Sequence, residues 1–485
     1  MAAGEGVAAA PKGTMTPRVL IAGGGIAGLS TAFELTRGGP GTIDVTVLER
    51  AARAGGNLHT ERVDGYLCEW GPNGFLDNVP ETPALVGELG IADRLLPADA
   101  GARRRFIYRN GHLHELPGGP VAFALSRLLS IAGRVRVLGE LFAPPRPEAD
   151  ETIHAFAARR IGLEAADVLI DSMVSGIFAG NARELSLQAC FPKMWEMERE
   201  HGSLVKAMLA KRRERASSSA PMGAPGGHLT SFTSGVEDLI HALVRALGPR
   251  VKTNCPVRRV RRRSSANPEG WLVELEDGRS FEADAVVLAG SASSSATLVE
   301  GFDGTLAAVL REIPTAPLAV VCLGYETARL DHPLDGFGFL VPRGEGIASL
   351  GALWDSSIYP GRAPQGRSLI RVMMGGAHDA SAVMLDDEAL IDRARADLET
   401  TMRLTIEPVF TRVFRHPAGI PQYTVGHLSR LATIEERIQR HPGLFLAGNS
   451  YRGVSINACI ADAGPLANRV RQATAASARP VATLQ

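Results

Sequence analysis

The chain has 485 residues, enough for about two or three domains that each bury a core of their own. Its 52 Lys and Arg residues balance 52 Asp and Glu residues, so net charge gives no reason to expect a nucleic-acid partner. The five cysteines are scattered without C-x-x-C spacing, which argues against a disulfide framework or a metal site and favours a reducing compartment. No apolar run reaches the roughly 18 residues that a membrane-spanning helix needs.

The first predicted element is a βαβ unit over residues 18–49. An apolar run at 19–21 leads into Gly23-x-Gly25-x-x-Gly28, a helix-like segment follows, and a second apolar run ends on Glu49. In such units the glycines permit a tight turn, a close approach of a pyrophosphate and close helix–strand packing. The pyrophosphate would lie at the helix N-terminus, and Glu49 would accept hydrogen bonds from a ribose. Residues 1–15 precede this unit and are predicted to be a disordered tail.

A second glycine pair, Gly55 and Gly56, follows Glu49 at a distance that favours FAD over NAD, since it could pass the flavin's phosphate and ribityl arm. An ordinary surface turn is the alternative interpretation of this pair. Between residues 82 and 215 the pattern becomes mainly helical. Residues 119–142 mix apolar residues with three arginines, as in a basic amphipathic helix lying on a membrane. A core-packing helix with solvated arginines is the alternative that the sequence alone slightly favours.

The clearest break is the Ser/Ala/Pro/Gly-rich stretch at 211–227. After it, residues 271–290 predict two strands around an Asp-Gly turn and a third buried strand, and residues 318–374 alternate strands with turns. The last segment predicts a buried strand ending on Gly448 and a helix starting near 454–457. A helix start there would stabilise a reduced, anionic flavin through its dipole, although it could also merely complete the sheet.

These motifs together resemble the family of oxygen-dependent protoporphyrinogen oxidases, within the flavin amine oxidase and phytoene desaturase superfamily. The glycine motifs, the Glu49…Gly55-Gly56 pair and the Glu69-x-Gly71-Pro72-Asn73 segment indicate the superfamily. The segments at 103–117, 175–186, 191–204, 419–423 and 448–464 follow in the family's order, with those at 103–117, 191–204 and 419–464 specific to its porphyrinogen branch. The resemblance runs from about residue 17 to 470.

The resemblance implies a fold of class α/β (α+β overall). It would comprise a Rossmann-like FAD-binding domain, a mixed-sheet substrate domain and a helical membrane-binding domain. The FAD-binding domain would be built from residues 16–80, 228–300 and 426–475. Residues 81–215 would form the helical domain with part of the substrate domain, and residues 301–425 the rest of the substrate domain. Residues 476–485 are predicted to be a second disordered tail.

The resemblance also implies a set of FAD contacts. They are Gly23, Gly25, Ile26, Ala27, Gly28, Glu49, Arg50, Gly55, Gly56, Asn57, Gly71, Pro72, Asn73, Val257, Gly448, Val454, Ser455 and Ile456. FAD would be bound non-covalently, because loop 448–457 offers neither Cys nor His beside the ring and Cys459 lies two residues beyond it.

Four residues match the family's substrate contacts. Arg105 would pair with a propionate, for which the planar guanidinium fork is suited. Leu340 and Tyr359 would sandwich the macrocycle, and Gly176 would let the backbone approach the pyrrole nitrogens. Without the resemblance, Arg105 would be taken for a surface arginine and Leu340 and Tyr359 for buried strand residues.

The function implied is oxidation of protoporphyrinogen IX to protoporphyrin IX, with the flavin as hydride acceptor and O2 reduced to H2O2. No general base or metal is assigned. Coproporphyrinogen III is the alternative substrate, and a flavin amine oxidase or a non-catalytic FAD-binding module are further alternatives. The expected partners are the porphyrinogen, O2 and a membrane surface, with a homodimer possible. The expected location is the cytoplasmic side of a bacterial cell membrane, as a peripheral protein.

Overall fold

Runs of strands and runs of helices follow one another in the residues that this computed structural model describes, 16–37, 43–144, 149–217, 227–263 and 270–477. The strands are β1 (Arg18–Ala22), β2 (Asp44–Leu48), β3 (Thr60–Val63), β4 (Tyr66–Glu69), β5 (Phe75–Leu76), β6 (Leu95–Pro97), β7 (Arg105–Arg109), β8 (His112–Glu115), β9 (Leu229–Phe232), β10 (Val251–Lys252), β11 (Val257–Arg262), β12 (Trp271–Leu275), β13 (Ser280–Ala283), β14 (Ala285–Leu288), β15 (Thr315–Glu326), β16 (Gly338–Leu340), β17 (Ser349–Leu353), β18 (Arg367–Gly375), β19 (Phe410–Pro421) and β20 (Leu444–Leu446). The helices are α1 (Ile26–Thr36), α2 (Glu81–Glu88), α3 (Pro120–Leu125), α4 (Ile131–Leu138), α5 (Ile153–Ile161), α6 (Leu163–Ala165), α7 (Asp171–Phe178), α8 (Leu187–Cys190), α9 (Pro192–His201), α10 (Leu204–Ser217), α11 (Asp238–Leu247), α12 (Ala292–Val299), α13 (Gly304–Arg311), α14 (Asp355–Ile358), α15 (Asp387–Met402), α16 (His427–Gln439) and α17 (Ile456–Ser477).

A five-stranded parallel sheet carries the first predicted motif, with strand order β10-β2-β1-β14-β20. Its central strands β1 and β14 are almost wholly buried, as expected of a sheet covered on both faces. Helices α1, α11 and α17 cover one face, and the β11–β13 sheet with α12, α13 and α16 covers the other. Chain segments widely separated in sequence therefore end at one carboxyl edge, where such sheets bind ligands.

A seven-stranded mixed sheet forms the second layer, in the order β19-β15-β18-β17-β16-β7-β8. Its pairs are antiparallel except β16 with β7, which run parallel. Helix α15 packs on this sheet through Leu390, Ala394 and Leu398. The two sheets with their helices confirm the predicted α/β (α+β overall) class.

The helical part of the chain contains two departures from the sequence expectations. Residues 119–142 do not form one continuous amphipathic helix: they form α3, α4 and a 3-10 turn at Gly139–Phe142. The break follows from Leu128 and Leu129, which turn inward and are buried, and from Ser130, whose hydroxyl caps α4 by accepting from the Gly133 amide at 3.0 Å. In addition, β7 and β8 lie within the mainly helical interval 81–215 and join the mixed sheet.

The predicted domain boundaries and tails are only partly covered by the described residues. The stretch predicted as a linker at 211–227 begins inside α10, and 218–226 lie outside the described residues. Residues 1–15 of the first predicted tail also lie outside them. Residues 476 and 477 belong to α17, and the rest of the second predicted tail is not described. Among the described helices, none combines the length and apolar character needed to cross a membrane.

Candidate functional site

The glycine turn between β1 and α1 leaves a space in front of the helix. Gly23 has φ +120° and donates its amide to Leu48 O at 2.9 Å, which sets the turn. A Cβ on Gly28 would lie 2.0 Å from Gly23 O, so only glycine lets α1 start this close to β1. A Cβ on Gly25 would have no atom within 4 Å, and no side chain caps the amides of α1. This open, electropositive end fits a pyrophosphate, with Ile26 and Ala27 in its first turn.

Glu49 lies at the end of β2, where its side chain is buried against the glycine turn. Its Oε2 accepts from the Gly24 amide and its Oε1 from the Ala51 amide, both at 2.8 Å. Glu49 therefore holds the turn itself, while each oxygen keeps capacity for a further donor such as a ribose hydroxyl. The Cys255 amide donates to Glu49 O at 2.8 Å, which brings the start of β11, and with it Val257, to the same edge. Arg50 is exposed beside this edge.

The second glycine pair lies directly against the first. The Gly55 amide donates to Gly24 O at 2.7 Å, and a Cβ on Gly56 would lie 3.5 Å from Gly25 Cα. Arg53, which the sequence did not indicate, donates to Gly56 O at 2.8 Å. A Cβ on Gly71 would lie 2.8 Å from Asn57 O, so the segment 71–73 runs beside Asn57. The two glycine segments thus form one continuous groove.

The loop from β20 to α17 approaches the same edge from the other end of the chain. Gly448 has φ +118°, and a Cβ there would lie 3.5 Å from Gly290 O, just beyond β14. Ser455 caps α17 by accepting from the Ala458 amide at 3.1 Å, so the helix begins at Ile456 immediately after Val454. The loop and the glycine groove therefore lie at the carboxyl edge of one parallel sheet, after β20 and β1, with β14 between these two strands. This arrangement fits an extended dinucleotide cofactor.

Three of the four predicted substrate contacts lie near one another. Arg105 begins β7 opposite Gly338 of β16, two register positions from Leu340. Its guanidinium lies 5.0 Å from the centre of the Phe337 ring. A Cβ on Gly176 of α7 would lie 2.8 Å from Leu340 Cδ2, so the helix backbone lies against that leucine. A planar apolar substrate bound near Leu340 and Gly176 would have the Arg105 guanidinium at its edge.

Tyr359 is placed differently. It is completely buried in a cluster with Leu96, Ala102 and Phe337, its ring lies 5.1 Å from the Arg362 guanidinium, and a Cβ on Gly74 would lie 2.5 Å from its hydroxyl oxygen. Its neighbours are therefore Gly74, Arg362 and this apolar cluster rather than Leu340. Its role as a second face for the macrocycle stays a prediction.

A buried charge cluster beneath residues 69–73 was not predicted from the sequence. Arg371 of β18 donates to Gly71 O at 2.7 Å and pairs through Nε with Asp355 Oδ2 at 3.0 Å. Arg362 Nη2 lies 3.3 Å from Glu69 Oε1, and both side chains are almost wholly buried. Burial raises the pKa of Glu69 to about 7, although the Arg362 charge opposes this. An isolated arginine within the apolar run LIRVMM was the available signal.

The flavin amine oxidase alternative would favour an aromatic cage beside the flavin, and Tyr451 is the residue of the last segment that could form half of such a cage. The structure places its side chain elsewhere. Its side chain is 5% exposed and packs into the core with Leu288, Ala292 and Ala296. The aromatic cage therefore gains no support from this residue.

Comparison with known proteins defines the class to which this architecture belongs. Residues 26–471 match the family model described as flavin containing amine oxidoreductase, and the chain is a member of that family. It is therefore a flavoprotein oxidoreductase, and the predicted FAD cofactor, for which the glycine groove is suited, is confirmed.

Within that family, the chain is similar to porphyrinogen oxidases. It is 36% identical to the protoporphyrinogen oxidase of Bos taurus, over 93% of this chain and 98% of the relative. It is 30% identical to the coproporphyrinogen III oxidase of Bacillus subtilis (strain 168), over 91% of this chain and 95% of the relative. A crystal structure from Exiguobacterium sp. 255-15, named for protoporphyrinogen oxidase, superposes with a TM-score of 0.82 at 26% identity, covering 95% of this chain and 100% of that one. These relatives confirm the predicted resemblance.

Proposed function

We propose that this protein is an FAD-dependent oxidase that converts protoporphyrinogen IX to protoporphyrin IX, with O2 as acceptor and H2O2 as by-product. The observation that carries the proposal is Arg105, which is exposed, lies over Phe337 and has no carboxylate partner in the described part of the chain. Its neighbour Arg104 is paired with both Glu115 and Asp335. An unpaired guanidinium at the edge of an apolar surface suits a flat macrocycle with carboxylate substituents.

Two separate groups of residues would bind the cofactor and position the substrate. FAD, when bound, supplies the hydride acceptor, and the glycine groove with the N-termini of α1 and α17 holds it. Leu340 and Gly176 would position the ring system while Arg105 fixes its orientation through a propionate. The overall change removes six hydrogens from the porphyrinogen in three two-electron oxidations, and three O2 become three H2O2.

The cofactor would be held without a covalent bond. Cys459, the cysteine nearest the 448–457 loop in sequence, is buried within α17, and burial raises the pKa of its thiol to about 12. A thiol that stays protonated is a poor nucleophile toward the flavin. Acid precipitation should therefore release the yellow chromophore from the polypeptide, and retention of the colour on the protein would contradict this.

Coproporphyrinogen III is the second candidate, favoured by the similarity to the Bacillus subtilis coproporphyrinogen III oxidase. That substrate carries four propionates, whereas protoporphyrinogen IX carries two. Arg343, three residues beyond Leu340, is 3.2 Å from Asp171 and so already has a carboxylate partner. Arg105, two register positions from Leu340, is thus a cation without a carboxylate partner among the described residues, whereas Arg343 has one. A single available cation favours the less acidic substrate.

One assay separates these candidates. Purified protein is incubated under air with each porphyrinogen, and porphyrin fluorescence is recorded together with peroxide, with free FAD and no protein as the background. Faster oxidation of protoporphyrinogen with three peroxides per porphyrin supports the proposal. Faster oxidation of coproporphyrinogen would assign the second candidate. A yellow protein that oxidises neither, even with added electron acceptors, would be a binding module.

We also propose peripheral contact with a membrane, on the cytoplasmic side of a bacterial cell membrane. Six large apolar side chains of residues 119–142 are between 62% and 88% exposed: Val121, Leu125, Ile131, Val135, Leu138 and Phe142. This surface, named here the α3–α4 apolar surface, is more apolar than basic, because Arg134 and Arg136 donate to backbone carbonyls. A poorly soluble product would be released near lipid. A homodimer formed through the same surface is the competing arrangement.

A further inference from the structure

A tyrosine outside the predicted site binds the backbone of the 448–455 loop at two points. Tyr423 follows the end of β19, and its side chain is 1% exposed. Its hydroxyl donates to Asn449 O at 2.5 Å and accepts from the Gly453 amide at 2.8 Å. A single phenol therefore bridges the two ends of a five-residue segment.

His427, in the first turn of α16, holds the middle of the same segment. Its ring stacks on Tyr423 with a centre-to-centre distance of 4.1 Å and an interplanar angle of 16°. Its Nε2 donates to Tyr451 O at 3.0 Å, and the residue is 1% exposed. Two stacked rings thus contact the loop backbone at residues 449, 451 and 453.

The backbone of the segment 448–453 depends on these contacts for a fixed conformation. Gly448 and Gly453 have φ +118° and +107°, conformations that contribute no rigidity of their own. On its other side, the Ser450 hydroxyl accepts from the Ala292 amide at 3.1 Å, which ties the loop to the first residue of α12. The Ser186 amide donates to Tyr423 O at 2.8 Å, so the tyrosine is itself anchored to the helical region.

We propose that Tyr423 and His427 form a clamp that fixes the 448–455 loop, and with it the N-terminus of α17, in the position that the flavin requires. Both are positioning residues, since they act on the cofactor through the loop. The inference rests on the proposed FAD contacts at Gly448 and Val454–Ile456. It adds that the segment directly after β19, a strand of the seven-stranded mixed sheet, sets the geometry of the flavin site.

Removing the tyrosine hydroxyl tests the clamp. Tyr423→Phe keeps the stacking on His427 but leaves Asn449 O and the Gly453 amide without their partner. We expect FAD to dissociate from the variant about tenfold more readily, as for the loss of one or two buried hydrogen bonds. The two-electron potential of bound FAD should become more negative, because a displaced α17 N-terminus stabilises the anionic reduced flavin less. The turnover number should fall while KM stays near its wild-type value.

Tyr451→Phe is the matched control. It removes a hydroxyl from a second buried tyrosine, one that belongs to the 448–455 loop and whose side chain faces the core rather than the loop backbone. FAD affinity and potential should stay at wild-type values in this variant. His427→Phe is the second test: it keeps a stacked ring, loses the donor to Tyr451 O, and should shift both quantities in the same direction as Tyr423→Phe.

Affinity is measured by titrating apoprotein with FAD, and potential by equilibration with a reference dye, so neither requires porphyrinogen turnover. Wild-type affinity and potential in both Tyr423→Phe and His427→Phe would overturn the clamp, as would an equal effect of Tyr451→Phe. Absence of turnover in the wild type with an intact Tyr423→Phe effect would instead reject the proposed function and leave the clamp standing.

Discussion

Arg105 and Arg104 are adjacent in sequence but differ in what they bind. Arg104 is engaged by Glu115 and Asp335, whereas Arg105 lies over Phe337 with its charge available to a substrate. We expect Arg105→Ala to raise KM about five- to tenfold with little change in turnover number, as for a partly exposed ion pair remote from the reacting carbon. Arg105→Lys should recover only part of the loss, because an ammonium cannot form the two-pronged contact.

Arg104→Ala is the matched control for that experiment and should leave KM close to the wild-type value. Flavin content should be normal in all three variants, which separates substrate binding from cofactor loss. Identical steady-state kinetics for Arg105→Ala and wild type would show that another cation holds the propionate.

Individual residues differ in how far the sequence could reveal them. Gly23, Gly28 and Glu49 were predictable, because a turn, a close helix contact and a strand-end acid leave a fixed spacing in one local segment. Arg371 and Tyr423 were not, since each acts on a backbone carbonyl or amide at least 26 residues away. Nothing in their own neighbourhoods specifies that contact. Glu49 also has a second function that spacing could not show, the hydrogen bonds to the Gly24 and Ala51 amides.

At the scale of elements, the turn before α1 contains one glycine required for packing, Gly28, and one expected to leave space for the cofactor, Gly25. Gly28→Ala would place a Cβ 2.0 Å from Gly23 O and push α1 away from β1. We expect the free energy of unfolding of the apoprotein to fall by about 1–3 kcal/mol, as for other overpacked sites. Gly25→Ala meets no atom within 4 Å, so its apoprotein should be as stable as the wild type while its FAD affinity falls.

Urea denaturation of the two apoproteins and FAD titration check this pair together. The interpretation would fail if Gly25→Ala bound FAD normally, because the space in front of α1 would then not be needed by the cofactor. It would equally fail if the two variants lost the same stability.

The α3–α4 apolar surface is the second element with a separable role. Leu125 and Phe142 are 78% and 88% exposed. Replacing both with Asp should reduce binding to phosphatidylethanolamine–phosphatidylglycerol vesicles at least about 100-fold, since each buried apolar side chain contributes roughly 1.5–3 kcal/mol. Met384→Asp, which alters an 84% exposed residue in a 3-10 turn after β18, is the matched control and should leave binding unchanged.

Vesicle flotation measures the effect, and porphyrinogen oxidation in detergent shows that the variant remains folded and active. Wild-type protein that stays in the soluble fraction would contradict membrane contact. A wild-type dimer that the double Asp variant converts to monomer, with no flotation of either, would assign the surface to self-association.

At the scale of the whole molecule, the order of strands and helices was largely predictable, while the way distant segments share sheets was not. The β1–α1–β2 unit, the β12–β13 hairpin and the helix α17 follow from local periodicity and turn residues. That β7 and β8 would join the mixed sheet of β15–β19 depends on a parallel pairing between residues 105–107 and 338–340. Pairing over such a separation leaves no periodic trace in either strand, which is why the interval 81–215 was expected to be mainly helical.

A buried carboxyl also joins the β3–β4 hairpin to the segments that precede β18 and α11, and its ionisation makes the stability of the molecule depend on pH. Glu69 on β4 contacts Arg362, the Thr60 hydroxyl and the Val236 amide, and burial raises the pKa of its carboxyl from 4.5 to about 7. At a pH between 4.5 and about 7, the Glu69 carboxyl is therefore protonated in the folded state and ionised in the unfolded state. The free energy of unfolding should therefore decrease as pH rises from 4.5 to 7, by up to about 3 kcal/mol from this group.

Glu69→Gln carries no ionisable proton, so the difference in unfolding free energy between wild type and variant, measured by urea denaturation across this range, should fall by that amount. A difference that stays constant with pH would show that Glu69 is ionised at both ends of the range, with Arg362 stabilising its charge enough to overcome the effect of burial.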